Sequence, residues 1–152
     1  MPECIFCEIV AGRSPVSPFY EDDTVLGFMT LGPVTEGHAM VAPKHHAAYL
    51  ADLNEPTGRH MWTVAQRAAA ALRVSGLRCE GVNLFLADGA AAAQEIFHVH
   101  LHVFPRYRGD PFRLVADWDN KPPREHLDRV ARQLRASYQG LWADRPVLER
   151  SK

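Results

Sequence analysis

Residues 97–106 read Phe97-His98-Val99-His100-Leu101-His102-Val103-Phe104-Pro105-Arg106, so three histidines alternate with apolar residues. Successive side chains of a β-strand point to opposite faces. As a strand, the stretch puts His98, His100 and His102 on one face. Phe97, Val99, Leu101 and Val103 take the other, where they can enter a core. A helix would turn about 200° for each step of two residues and scatter the imidazoles. The alternation therefore predicts a strand, ended by Pro105, which has no N–H to offer a ladder. The product is a row of imidazoles on a rigid element with a guanidinium at its end. Imidazole serves as nucleophile, acid–base group or metal ligand near neutral pH, and the Arg106 fork suits a phosphate.

Around this stretch the chain has 152 residues, 47% of them hydrophobic, and a formal net charge of −1. That length and composition predict one domain over 1–152. The near-zero charge argues against nucleic acid or an anionic membrane surface as partner. No apolar run is long enough for a bilayer, and Met1-Pro2-Glu3-Cys4 does not open a signal peptide, so a cytoplasmic location is expected. The cysteines number three, two of them close together. That pattern favours metal binding or free thiols over a disulfide framework.

Those two form Cys4-Ile5-Phe6-Cys7. A redox CxxC wants a preceding strand, and the chain has no room for one before Cys4. A zinc site needs two further ligands. His38, His45, His46, His60 and the alternating histidines are all available. Glu8 to Ala11 reads as a helical turn stopped by Gly12. Phe19-Tyr20 starts a strand, Glu21-Asp22-Asp23 turns, and Thr24–Leu31 and Gly37–Pro43 read as an antiparallel pair of strands. Arg59–Val74 reads as a helix on the spacing of Met61, Val64, Ala65, Ala68 and Leu72. His60 reads as a solvated residue of that helix and Cys79 as an inert thiol. Val82–Ala87 is a further strand, and Ala90–Ala93 a small-residue loop open to close backbone approach. Gln94-Glu95 leads into the histidines, whose pKa values the Glu95 carboxylate would raise if it faced them. Phe112–Trp118 reads as a short strand or packed extension. Leu127, Val130, Ala131, Leu134 and Tyr138 stripe a C-terminal helix, and the last residues are expected to fray.

His98-Val99-His100-Leu101-His102-Val103-Phe104 resembles the signature of the histidine-triad (HIT) superfamily. Cys4 to Gly12, Tyr20-Glu21-Asp22, Gly37-His38 and Pro43-Lys44-His45-His46 match in order the zinc-containing bacterial, Hint-like branch. The resemblance implies an α+β fold: an antiparallel sheet of about five strands with a long central helix and a C-terminal helix, assembled as a homodimer. It sets 111–152 apart as a C-terminal extension packed on that domain. It implies a hydrolase or nucleotidyl transferase acting at the α-phosphate of nucleoside phosphoramidates, adenylates or dinucleoside polyphosphates. His100 would be the nucleophile, His102 a donor to the phosphoryl oxygens or leaving group, and Gln94 a residue beside the phosphate. Thr30, Leu31, Glu95 and Arg106 would meet substrate. Cys4, Cys7, His46 and His98 would hold a structural zinc.

Four positions depart from the family pattern. Thr30 stands where an acid commonly meets the ribose hydroxyls, and cannot supply that charge-assisted contact. Ala87 replaces a common asparagine. Ala93-Gln94-Glu95 replaces Gly-Gln-Ser, and Glu95 would repel a phosphate if it faced one. The competing reading, from another class, is a nucleotide-binding regulatory or scaffold dimer with incidental activity. A third is a hydrolase whose zinc is catalytic.

Overall fold

The computed structural model describes residues 4–143. In chain order the elements are α1 (Ile5–Val10), β1 (Pro18–Glu21), β2 (Val25–Met29), β3 (Ala39–Pro43), α2 (Glu55–Val74), β4 (Gly81–Phe85), β5 (Leu101–Arg106) and α3 (Arg124–Leu141). Single 3-10 turns lie at Leu50–Asp52 and Ala90–Ala92. The five strands form one antiparallel sheet in the order β1-β2-β3-β5-β4. This is the expected α+β architecture.

The pleat sorts the sheet's residues to two faces. Val25, Val41, Leu101 and Val103 point to one, where the α2 stripe Met61, Val64, Ala65, Ala68 and Leu72 covers them. Each such aliphatic side chain gains roughly 1.5–3 kcal/mol on leaving water. Leu26, Phe28, Met40 and Ala42 point to the other face and meet Phe6 of α1. Met40 pairs directly with His102 across β3 and β5, so His102 stands on the α1 face, away from α2.

Local chemistry sets the ends of α2. The Asn54 side chain accepts a hydrogen bond from the Thr57 N–H at 3.0 Å, and Pro56 sits in the first turn. This is an N-cap with proline where its missing N–H costs nothing, and it starts the helix earlier than Arg59. Gly37 is needed where it stands: its φ is +94°, and a Cβ there would lie 2.9 Å from Leu77 Cδ1.

Three expectations change. The histidine-bearing strand begins only at Leu101; residues 97–100 run up to it outside the ladder, with the Val99 N–H donating to the Ala47 carbonyl at 2.7 Å. Pro105 does not end β5 but lies within it, paired with Val82. The ladder to β3 already stops at Val103, and the Pro105 carbonyl accepts the Thr35 hydroxyl at 2.7 Å. His60 is more than a solvated helix residue. Its Nε2 meets Asp22 Oδ2 at 2.5 Å, the same oxygen that accepts the Tyr20 hydroxyl at 2.6 Å. The Tyr20 bond, then those from His60, Thr24 and Val25, hold the Asp22 carboxyl well below its ordinary range. This ties the β1–β2 turn to α2.

The chain divides into two compact units, one through Arg113 and one from Leu114. In the second, Phe112–Trp118 gives no strand past the boundary; 114–123 has no regular structure, and α3 follows. Its Leu127, Val130, Leu134 and Tyr138 recur at helical spacing and are exposed. The expected fraying of the last residues falls outside the described part of the chain. Among the described residues no helix is long and apolar enough to cross a membrane.

Candidate functional site

Cys4 occupies the N-cap of α1 and Cys7 its first turn, so the spacing of three puts both sulfurs on one side of the helix. His46 comes from the loop after β3 and His98 from the run into β5. Their four ligand atoms lie within 4.8 Å of one another. Cys4 Sγ is 3.3 Å and Cys7 Sγ 3.7 Å from His98 Nδ1, and Cys7 Sγ is 3.4 Å from His46 Nδ1. A tetrahedron with Zn–S of about 2.3 Å and Zn–N of about 2.0 Å has S–N edges of about 3.5 Å, so the donor set has the size of a zinc site. His98 is fully buried, and its Nε2–H donates to the Pro43 carbonyl at 2.8 Å. That bond leaves the Nδ1 lone pair facing the sulfurs, the tautomer a metal requires. Burial first, then the neighbouring Cys4 sulfur, pushes the Cys7 thiol up. A divalent cation reverses that preference and favours thiolate. Two other sequence candidates go elsewhere: His60 to Asp22 and His38 to His102.

His100 and His102 stand on the α1 side with ring centroids 4.7 Å apart. His100 Nδ1–H donates to the His98 carbonyl at 2.7 Å, which leaves Nε2 with the free electron pair. The Phe6 ring meets the His98 and His100 rings edge-on, with centroids 5.6 and 5.1 Å away. His102 is oriented from the opposite side. The Val34 N–H donates to His38 Nδ1 at 3.1 Å, so the His38 proton sits on Nε2. His38 Nε2–H then donates to His102 Nδ1 at 2.9 Å. The remaining proton of neutral His102 is therefore on Nε2, as a donor. Burial pushes His38 and His100 down. His102 is pushed down to about 4, by burial first and then by the neighbouring His100 and His38. All three rings are neutral at pH 7.

A cavity of about 420 Å³ opens over His100 and His102 and is lined also by His38, Thr30, Phe85, Ala87, Ala93 and Glu95. It shares Thr30, Met40 and Ile96 with an apolar pocket of about 380 Å³ walled by Ile5, Phe6, Ile9, Phe28 and Leu31. Thus Thr30 and Glu95 come to the histidines, and Leu31 to the adjoining pocket. Two expected residues line neither. The Gln94 amide is buried and spent on the backbone: Oε1 accepts from Gly89 N–H at 2.7 Å, and Nε2 donates to the Ala48 and Ile96 carbonyls at 2.8 and 3.2 Å. Arg106 pairs through Nε with Asp110 Oδ2 at 2.6 Å and covers the Phe112 ring at 4.7 Å. The Arg106 guanidinium, followed by the Tyr107 and Phe112 amides, holds the buried Asp110 carboxyl down. His38 is the functional residue that sequence reasoning did not place in the row. Its signal was Gly37-His38 two residues before Met40, whose register with His102 only the sheet reveals.

A neutral imidazole with a fixed free nitrogen, a second fixed as donor, and a Cys2His2 cluster sharing the same strand approach define a histidine-triad protein of the zinc-containing kind. The chain belongs to the HIT domain family, whose sequence profile matches residues 11–109. It is similar to a zinc-bound histidine triad family protein from Mycobacterium smegmatis, at 40% identity and TM-score 0.70 over 91% of this chain and 97% of that one. It is similar also to a HIT family protein from Bacillus anthracis, at 35% identity and TM-score 0.82 over 90% and 97%. An adenylylsulfatase from Arabidopsis thaliana is 33% identical over 87% of this chain and 66% of its own length.

Proposed function

We propose that the protein is a nucleotide hydrolase or nucleotidyl transferase that works through a covalent nucleotidyl-histidine on His100. The observation that carries this reading is the His100 tautomer: Nδ1–H held by the His98 carbonyl, Nε2 free beside the cavity. Membership of a family of nucleotide-binding hydrolases supports it. His100 Nε2 attacks the α-phosphorus of a nucleoside phosphoramidate, adenylate or dinucleoside polyphosphate. The bond to the leaving group breaks and that group takes the electron pair. Water then attacks phosphorus, the P–N bond returns its pair to His100, and the nucleoside monophosphate departs. Splitting one displacement into two lowers each barrier. His102 Nε2–H donates to the phosphoryl oxygens where charge develops. The apolar pocket takes the base, with Leu31 on its wall and Thr30 where it opens to the histidines. Gln94 positions the loop before the histidines. Arg106 braces the end of β5.

Cys4, Cys7, His46 and His98 hold zinc in this reading. With four protein ligands and no open position, the metal's part is structural. The working unit is a cytoplasmic homodimer, checked by sedimentation of the purified protein.

The test is turnover of a fluorogenic adenosine phosphoramidate, with intact mass to trap the adduct. We expect turnover and a nucleotidyl adduct with the native protein, and neither with a folded His100→Ala variant. Full activity in that variant would remove His100 from the role. Nucleotide affinity without turnover in the metal-replete protein would favour the binding dimer.

A further inference from the structure

We propose that Glu95 makes the site select substrates whose leaving group carries a positive charge, such as an ammonium-bearing acyl group or amine joined to the nucleotide's phosphate. The inference rests on the nucleotidyl-histidine reading above and names its substrate class. Glu95 lines the cavity of His100 and His102 and is not part of the apolar pocket beside it. It is exposed and has no hydrogen bond or ion pair with the described residues. Among the described residues no lysine or arginine lines that cavity; Arg106, which follows the histidines in sequence, is committed to Asp110. Among the described residues, imidazoles aside, the only ionisable side chain on the cavity wall is therefore a carboxylate with no hydrogen-bond or ion-pair partner.

That is a poor place for a polyphosphate or sulfate to leave from. Each added negative charge meets Glu95 without a cation to offset it. An ammonium group gains from the same carboxylate. It also gains from the exposed ring of Phe85, which lines the cavity and can take a cation on its face. A unit charge about 6 Å from a carboxylate changes an equilibrium or rate constant by about threefold even at the dielectric of water. Reversing the sign of the leaving group therefore changes selectivity by about tenfold. Serine at this position would hydrogen-bond either kind of group and impose no sign.

The experiment uses three adenosine 5′-phosphoramidates of equal chain length. Their leaving amines end in a methyl, an ammonium or a carboxylate. kcat/KM is measured for the native protein, Glu95→Gln and Glu95→Lys. We expect the order ammonium, methyl, carboxylate in the native protein, spanning about tenfold and compressed by added salt. The spread collapses in Glu95→Gln and inverts in Glu95→Lys. Adenylyl sulfate, whose leaving group is an anion, falls at the slow end for the native protein. Equal rates for the three amides, or variants that slow all three alike, overturn the role of Glu95 and leave the nucleotidyl-histidine standing. Absence of turnover with all three, in a folded metal-replete protein, overturns that reading and this inference with it.

Discussion

Ala93 is the single non-glycine residue with positive φ among those described, at φ 64° and ψ 32°. A Cβ in that conformation crowds the following carbonyl and costs roughly 1–2 kcal/mol. Ala93→Gly removes the clash and returns about 0.4–1 kcal/mol of unfolded-chain entropy. We therefore expect net stabilisation of roughly 0.5–1 kcal/mol, read as a higher midpoint in thermal or urea unfolding. A lower midpoint would mean that the Ala93 methyl contributes more by packing than it costs in strain. The sequence marked Ala93 as replacing a family glycine, but a backbone angle is not written in one residue. The same limit applies to His38. It meets His102 through a register spanning 64 positions of chain, and nothing local to Gly37-His38 announces the partner. Gln94 is expected beside the phosphate from the family resemblance, and Arg106 from its guanidinium at the end of the histidine strand. Asp110 and the backbone carbonyls, closer in space, occupy them.

At the scale of elements, α1 has six residues, Ile5–Val10, too few to stand alone in water. Two things hold it: Phe6 in the core with Phe28 and Met40, and the cysteines beside His46 and His98. Cys4→Ser leaves a weak donor in a four-ligand set. We expect the variant to lose most of its zinc by atomic absorption and to melt several degrees lower. Strong chelators should do the same to the native protein. Unchanged metal content in Cys4→Ser would reject the site. The α2 stripe was legible because that helix buries one face, and β2 and β3 were legible as short apolar runs between turn signals because both of their faces are covered. The ends were not. Asn54 starts α2 through a side-chain cap, and β5 begins late because residues 97–100 are held by loop carbonyls and not by a strand.

For the molecule as a whole, the buried histidines set how stability follows pH. His102 takes a proton in the unfolded chain near pH 6.5 but in the folded protein only near 4, and His38 is displaced in the same direction. Between those values the unfolded state binds more protons, so stability falls as pH drops through that window. Below it the acids take over. The depressed Asp22 and Asp110 contribute stability above the ordinary carboxylate range that is lost as they protonate. Urea midpoints measured from pH 8 to 3 should be flat above 7, then decline with a slope that begins near 6.5. Replacing His38 with glutamine should flatten the upper part of that decline. A midpoint constant down to pH 5 would show that these rings are not held neutral by burial.

The row from Val34 through His38 to His102 begins at an amide that can give a hydrogen bond but never receive one. Its polarity is locked from the inner end. A proton surrendered by His102 at its outer nitrogen cannot be replenished from behind, because His38 would then have to take a proton at Nδ1, where the Val34 amide donates a hydrogen bond but does not release its proton. This row holds no proton reservoir behind His102. In the proposed reaction, whatever leaves His102 must return by the mouth of the cavity, so its proton traffic would be settled with solvent and the departing group.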